Sequence, residues 1–214
     1  MKINLVLLLS TFTILFSSSI EILEVLKTEA DWKLYRTLDE GETIYRKSLN
    51  DRSLQAFKIS KTIDFSPKLI FNTVLDIDNY GTILKSSNLD SRVLLSTSDY
   101  IDGYNYIYVD NYFVSDREYV FRMYSYEKSV EWHLIESSLE ATDAVYINAG
   151  AGYWDYEIIG DRYKISYSLY MDVGGSIPKF LDNKLNYSGI LNVFRDVLNH
   201  SFNVKMGDSI SNGS

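Results

Sequence analysis

The sequence predicts an α+β protein in which an antiparallel sheet packs against one long C-terminal helix. From Phe180 to Phe202, apolar residues recur at steps of three and four, as on an amphipathic helix. Between Trp32 and Asp172, apolar residues mostly alternate with polar ones, as in strands. Strands, a helix, hairpin-linked strands and a final helix follow one another in the order typical of the α+β class. We expect the long helix to cover one face of the sheet.

Both prolines of the chain predict helix starts. Ser66-Pro67 is typical of an N-cap followed by the first helical residue, and Ser176-Ile177-Pro178 opens the final helix in a similar way. A short helix is expected within Glu21–Asp31. The segments predicted as strands are Trp32–Thr37, Glu42–Ser48, Gln55–Asp64, Ser91–Ser98, Tyr104–Val109, Glu118–Tyr126, Val130–Glu136, Tyr153–Ile159 and Tyr163–Asp172.

Residues 1–19 are predicted to be a cleaved secretory signal. A basic start precedes the mostly apolar run Leu5–Phe16, and three serines follow, as a signal peptidase accepts. The apolar run is too short to span a bilayer comfortably. We therefore expect an exported protein, periplasmic or secreted, with one domain over residues 20–204 and a flexible tail over residues 205–214. The alternative is an uncleaved N-terminal segment that anchors the chain.

Composition excludes several classes of function. The 214 residues include no cysteine, so disulfides and cysteine-ligated zinc are excluded, and two histidines are too few for a three-histidine metal centre. The net charge of −8 argues against an electrostatic nucleic-acid binder. No metal and no cofactor are predicted. His133 lies on the strand face opposite Trp132 and Leu134, where we expect it to be exposed.

Tyrosine is concentrated in the middle of the chain. Of 18 tyrosines, 14 lie between Tyr100 and Tyr170. Strand alternation places Tyr104, Tyr106 and Tyr108 on one face, and Asn105 with its alternate neighbours on the other. One of these two sets must therefore face outward.

Two phrases resemble a known family. Phe113–Val120 (FVSDREYV) resembles the PwPvsDRDfv signature that opens a central strand in START domains, the lipid-transfer members of the helix-grip superfamily. Gly174–Asn183 (GGSIPKFLDN) resembles the pGGwIPkwlvN phrase at the start of their closing helix. Shorter matches lie at Trp32-Lys33-Leu34, Val74–Tyr80 and Gly152-x-Trp154. All matches occur in the order that the family shows, so the resemblance covers roughly residues 30–200.

The chain also departs from the family pattern. Asn111-Tyr112-Phe113 replaces the PwP residues, and Ser176 stands where many members have tryptophan. Met123 occupies the position of an arginine that some members place inside the cavity. This last difference argues against a charged ligand headgroup at that spot.

START-like domains hold one hydrophobic molecule, usually a lipid or sterol, between a concave sheet and the C-terminal helix. The resemblance therefore implies a helix-grip fold, a curved antiparallel β-sheet wrapped around a long C-terminal α-helix. It also implies a non-enzymatic carrier of a hydrophobic small molecule or lipid, monomeric and in transient contact with membranes. The predicted tunnel-lining residues, each of which could equally be core, are Arg117, Tyr119, Phe121, Met123, Trp132, Leu134, Trp154, Tyr156, Tyr167, Leu169, Met171, Tyr187, Leu191, Phe194 and Leu198.

Other interpretations stay open on sequence alone. Helix-grip relatives include polyketide cyclases and aromatases, for which Tyr119, Tyr167 and Arg117 are the candidate polar groups. An outward tyrosine face around Tyr104–Tyr108 could instead bind a protein partner. For ligand release, the final helix or the Asn79–Asp90 loop is the expected gate.

Arg117 has two interpretations as well. Its strand position allows a partly buried ion pair at the tunnel mouth, with Asp116, Glu131 or Asp155 as the partner. A structural salt bridge at the rim of the sheet is the alternative.

Overall fold

A computed structural model describes residues 19–49, 54–110, 114–136, 139–140, 142–174 and 179–211, with the backbone alone for 179–185 and 208–211. The predicted signal segment before Ser19, the Asn111–Phe113 departure, the Ser176-Ile177-Pro178 helix start and the last three residues lie outside this part of the chain.

The described chain folds into a large sheet flanked by helices. The helices are α1 (Ser19–Lys27), α2 (Pro67–Leu75), α3 (Tyr80–Ile83) and α4 (Lys179–Ser211), with a 3-10 turn at Ile77–Asn79. The strands are β1 (Lys33–Thr37), β2 (Thr43–Ser48), β3 (Gln55–Ile63), β4 (Leu89–Ser96), β5 (Ile101–Ile107), β6 (Arg117–Ser125), β7 (Ser129–Ile135), β8 (Val145–Tyr146), β9 (Ala149–Ile159) and β10 (Arg162–Asp172).

The sheet runs in the order β1-β2-β3-β10-β9-β7-β6-β5-β4, and all of these pairs are antiparallel. Each predicted strand is present, with shifts of a few residues at the ends. The pairing of β3 with β10 joins the first three strands to the C-terminal ones. The short β8, parallel to β6, was not expected. The α+β, helix-grip architecture is thus confirmed.

Helix α2 begins at a serine cap followed by proline, as the sequence predicts. The Ser66 hydroxyl accepts a hydrogen bond from the Lys68 N–H at 3.3 Å, and Pro67 occupies the first turn, where its missing N–H costs nothing. Helix α4 continues to Ser211, so it includes residues 205–211 of the segment predicted as a flexible tail. Among the described residues, no helix combines the length and apolar character needed to cross a bilayer.

The main hydrophobic core lies between the inner face of the sheet and helices α2, α3 and α4. Alternate residues of β6, β7, β9 and β10 contribute the predicted aromatic face, including the fully buried Trp154. From α4, Ile190 and Phe194 are also fully buried against this face. Packing of one helix stripe onto one sheet face follows directly from the two sequence periods.

The outer face of the sheet is covered in part by α1. Ile22, Leu23 and Leu26 form a second core with Ala151 and Tyr170 of β9 and β10. An ion pair between Lys27 and Glu131 at 3.0 Å further ties α1 to β7.

The expectation that His133 is exposed is therefore wrong. It does face outward, but it is only 7% exposed. Its ring stacks on Tyr124 at 5.9 Å, and α1 packs against β7 on the same side of the sheet. Burial, together with the nearby Arg122, lowers the pKa of His133, so it is neutral at pH 7.

Candidate functional site

A cavity of about 70 Å³ lies between the inner face of the sheet and α4. Strands β5, β6 and β10 each contribute a polar side chain to it, and residues of α2, α3 and α4 line its other side. Its lining residues are Val74, Tyr80, Leu84, Asn105, Tyr119, Phe121, Met123, Trp132, Trp154, Tyr167, Val193 and Val197.

Two stacked rings line one wall of this cavity, and a third ring supports them from α4. Trp154 lies nearly parallel to Tyr167, with 4.2 Å between ring centroids, and nearly parallel to Phe194 of α4 at 5.6 Å. The stack therefore joins β9, β10 and the helix. Because the Trp154 ring is held between the other two, we expect this wall to be rigid.

Two glycines make room for the opposite rings. A Cβ on Gly103 would lie 2.5 Å from the Phe121 ring, and one on Gly152 would collide with the indole of Trp132. Each glycine is directly paired with the aromatic residue on the adjacent strand. The rings can therefore lie over the neighbouring backbone instead of projecting into the cavity.

The polar part of the cavity is a side-chain pair on neighbouring strands. Asn105 Nδ2 donates a hydrogen bond to the Tyr119 hydroxyl at 2.8 Å. Asn105 is 4% exposed and Tyr119 9%. The Asn105 Oδ1 atom is buried and has no hydrogen-bond partner among the described residues. Tyr80, close by, donates its hydroxyl proton to the Val74 carbonyl oxygen.

Burial keeps the three cavity tyrosines protonated. It raises the pKa of Tyr119, although the hydrogen bond from Asn105 opposes the shift. It also raises the pKa of Tyr80 and Tyr167, and the neighbouring tyrosines add to both shifts because a second negative charge would be repelled. At neutral pH the hydroxyl groups of these tyrosines are therefore uncharged.

A second, wider pocket of about 240 Å³ lies farther along the same face of the sheet. Ile107, Arg117 and Leu169 line it, each two residues from an inner-cavity residue on the same strand and therefore on the same face. Its full lining is Ser87, Ile107, Val109, Val114, Arg117, Ile147, Leu169, Met171, Val173, Asn186 and Gly189. We call it the mouth pocket. The two spaces lie in line along the sheet beneath successive turns of α4.

Arg117 stabilises the backbone beside the mouth pocket. Its Nε donates to the Val173 carbonyl oxygen at 2.8 Å, and its other described bonds run to the carbonyl oxygens of Ser115, Asp116 and Gly174. Among its contacts with described residues, these main-chain hydrogen bonds are found where an ion pair with Asp116, Glu131 or Asp155 was predicted. Arg117 thereby holds the segment that leads into α4.

The Asn79–Asp90 segment, one of the expected gates, is fastened to α4. The Ser86 N–H and hydroxyl both donate to the Asp196 carboxylate, at 2.8 and 3.1 Å. Leu84 of the same segment lines the inner cavity. Opening the cavity on this side therefore requires breaking the Ser86–Asp196 contact.

The structure divides the predicted lining residues into three groups. The inner cavity receives Tyr119, Phe121, Met123, Trp132, Trp154 and Tyr167. The mouth pocket receives Arg117, Leu169 and Met171. The remaining predicted residues pack in the core without lining either space, and they are Leu134, Tyr156, Tyr187, Leu191, Phe194 and Leu198.

Sequence reasoning missed several cavity residues. Asn105 was placed on the face opposite Tyr104 but was not recognised as part of the site. Two signals for Asn105 were available in the sequence. Strand alternation places it on the face opposite Tyr104, and it is the one amide within a run of tyrosines. Val193 and Val197 each come one residue before a predicted residue of α4, Phe194 and Leu198. Val74, Tyr80 and Leu84 belong to short elements for which no facing partner can be read from the sequence.

A large antiparallel sheet closed by one long helix over a mainly apolar cavity is the architecture of a helix-grip fold. Comparison with solved structures identifies the type of helix-grip fold. A STAR-related lipid transfer protein from Xanthomonas axonopodis matches with a TM-score of 0.69 and 19% identity, over 79% of this chain and 98% of that one. Human STARD10 matches with a TM-score of 0.65 and 15% identity, over 84% of this chain and 78% of that one. The predicted START-type helix-grip fold is thus confirmed.

The Zhui aromatase/cyclase from a Streptomyces species is also similar, with a TM-score of 0.50 and 10% identity over 68% of this chain and 92% of that one. At these identities the similarities concern the fold. No protein-family model matches the sequence, and the comparison with curated proteins finds no match.

Proposed function

We propose that the protein binds one hydrophobic molecule between the sheet and α4 and acts as its carrier. The observation that supports this most directly is the alignment of the inner cavity with the mouth pocket along the same three strands. Both spaces are lined mainly by apolar and aromatic side chains, as small-molecule sites usually are. The proposal is also supported by the similar fold of proteins that are named for lipid transfer.

The volumes limit what fits in this conformation. Pockets for drug-sized ligands usually measure roughly 300–1,000 Å³, and the two spaces together reach only the lower end of that range. We therefore infer that the structure is a closed form, and that a ligand as large as a sterol must widen it. Each buried CH₂ group of a ligand contributes about 0.8 kcal/mol, so a single medium-length chain is sufficient for useful affinity.

The chemistry of the lining favours a carrier over a cyclase. The described lining of the inner cavity contains no carboxylate, histidine or lysine. The cavity tyrosines have raised pKa values, so they stay protonated at neutral pH and are not available as general bases. Arg117, the third residue considered for an enzyme, is bound to backbone carbonyls. Similarity to an aromatase/cyclase therefore carries less weight here.

The outer tyrosines give less support to a protein-interaction role. Tyr104 is buried and donates its hydroxyl proton to Glu118 at 2.7 Å, and Tyr106 does the same to Asp116 at 2.9 Å. Only Tyr108 of this set is exposed. The three rings thus act as cross-strand supports of the sheet rather than as an open aromatic patch.

Native mass spectrometry of the purified protein tests the proposal. We expect one hydrophobic molecule per chain, or uptake of one neutral probe such as N-phenyl-1-naphthylamine. Val193→Phe places a ring in the inner cavity and should abolish uptake, whereas Val204→Phe on the exposed part of α4 should not. A protein that stays empty and takes up neither the probe nor lipid from phosphatidylcholine vesicles would contradict a carrier role.

We also propose that residues 1–19 direct export of the chain. The support is the sequence pattern described above. Mass measurement of the protein from its native host should give a chain that begins at Ile20. An intact N-terminus in the membrane fraction would instead support the uncleaved anchor.

A further inference from the structure

The Asn105–Tyr119 pair has unused hydrogen-bonding capacity inside the inner cavity. The two residues are directly opposite each other on β5 and β6, and both side chains line the cavity. Their one mutual hydrogen bond leaves Asn105 Oδ1 as a buried acceptor without a partner in the described part of the chain. The Tyr119 hydroxyl, which accepts that bond, still has its own proton to donate. Buried polar groups are normally paired, so this arrangement needs a partner.

The offered pattern does not depend on how the amide is oriented. If Nδ2 donates to Tyr119, a free acceptor remains on Asn105 and a free donor on Tyr119. If the amide is turned, Tyr119 donates to Oδ1, and the pair then offers an amide donor and a phenol lone pair. In both cases the cavity presents one donor and one acceptor side by side.

Resting on the proposed function, we propose that this pair binds a hydroxyl group at the inner end of the ligand, so that the carried molecule is an aliphatic or alicyclic alcohol. A hydroxyl donates and accepts at once and therefore satisfies both free positions. An ether or ketone oxygen only accepts, which would leave one buried acceptor of the protein unpaired. An anionic headgroup is disfavoured, because the described lining of the inner cavity contains no cation.

The position of the pair fixes the direction of the ligand. Ile107, two residues after Asn105, and Leu169, two residues after Tyr167, both line the mouth pocket. A hydroxyl at the Asn105–Tyr119 pair therefore leaves the hydrocarbon part to extend along the apolar mouth pocket. The ligand would enter hydroxyl first, with its tail toward Gly189 of α4.

A pair of nearly isosteric ligands tests the inference. We suggest displacement of N-phenyl-1-naphthylamine by 1-decanol and by 1-fluorodecane, both delivered from cyclodextrin. Trp132 and Trp154 fluorescence provides a second readout inside the cavity. The unmodified protein should prefer the alcohol by roughly tenfold or more, since loss of a buried hydrogen bond usually costs that much in affinity. Equal affinity for the two ligands would overturn the inference and leave the carrier role intact.

Variants separate recognition from packing. Asn105→Leu and Tyr119→Phe should each lower the affinity for 1-decanol to about the affinity for 1-fluorodecane. The affinity for 1-fluorodecane should stay as it is in the unmodified protein. Tyr163→Phe, on the same sheet face but outside both pockets, should keep the preference. Tyr119→Phe changes only one oxygen, so it keeps the test valid if Asn105→Leu folds poorly. A preference that persists in both variants would also overturn the inference, whereas binding of neither ligand would refute the carrier role itself.

Discussion

Asp155 on the outer face of β9 is a half-buried carboxylate whose removal should stabilise the protein. Burial raises its pKa to about 6 from an ordinary 3.8, against the attraction of Lys58. Between these two pH values the folded state binds more protons than the unfolded state, so folding stability falls as the pH rises. Asp155→Asn should therefore raise the free energy of unfolding by about 1–3 kcal/mol at pH 7.5 and change it little at pH 3.5. Urea denaturation at the two pH values measures this, and an equal effect at both would show that charge burial is not the cause.

At the residue scale, the sequence predicts which way a side chain points better than what it contacts. Alternation correctly separated Tyr104 from Asn105 and placed Tyr119 and Tyr167 on the inner face. The hydrogen bond between Asn105 and Tyr119 depends on the register of β5 against β6, which no local pattern specifies. His133 was wrongly expected to be exposed, because its cover comes from α1 and a tyrosine on the neighbouring strand.

At the scale of strand pairs, Gly103 is required by the ring that lies over it. Gly103→Ala would push a Cβ into the Phe121 ring, which is enclosed by Tyr119 and Trp132 and has little room to move. We expect a loss of about 1–3 kcal/mol in stability and weaker uptake of N-phenyl-1-naphthylamine as the ring shifts toward the cavity. Gly207→Ala in α4 meets nothing within 4 Å and is the matched control. It should be neutral or stabilise the helix. Thermal unfolding of both variants decides the matter, and equal stabilities would refute the packing argument.

The contact between the Ser86 loop and α4 should control how fast ligand exchanges. Asp196→Ala removes the acceptor for both Ser86 hydrogen bonds, which lie at the protein surface. We expect N-phenyl-1-naphthylamine to dissociate several-fold faster with a small change in stability, of about 0.5–1.5 kcal/mol. Stopped-flow fluorescence measures the rate. Glu157→Ala removes a surface carboxylate far from this loop in sequence and should leave the rate unchanged. Unchanged exchange in Asp196→Ala would mean that the gate lies elsewhere.

At the element scale, the long periodic segments were predictable and the finer placement of α4 was not. Proline positions and the two periods located α2, α4 and the longer strands. The two-residue β8 is too short to show any alternation. A helical stripe is about 100° wide, so it does not say which of its residues face a cavity and which face packed side chains. The sequence therefore did not show that Val193 and Val197, rather than Leu191 and Leu198, line the cavity from the helix.

At the scale of the whole molecule, a few polar contacts hold the sheet around α4. Asn186 of α4 donates to the Met171 carbonyl oxygen of β10 at 2.9 Å, while Thr73 of α2 and Ser201 of α4 share a buried hydrogen bond at 2.9 Å. At the connection between β1 and β2, Arg195 of α4 donates to the buried Glu42 at 3.2 Å. These contacts join elements far apart in the sequence, which explains why sequence patterns did not reveal them. They also identify the bonds that must break if α4 is to move away from the sheet.

The Glu42 contact predicts how the closed form responds to acid. Burial alone would raise the pKa of Glu42, but hydrogen bonds from Arg195 and Lys61 lower it below the ordinary 4.5. A depressed carboxyl pKa contributes stability that is fully present above about pH 5 and is lost as the pH falls below 4.5. Glu42→Gln should therefore lower the free energy of unfolding by about 1–2 kcal/mol at pH 7, with a smaller difference at pH 3. Hydrogen exchange of α4 should rise in the variant at pH 7, because Arg195 no longer ties the helix to the β1–β2 hairpin. A stability difference that is independent of pH would show that the contact acts through packing rather than charge.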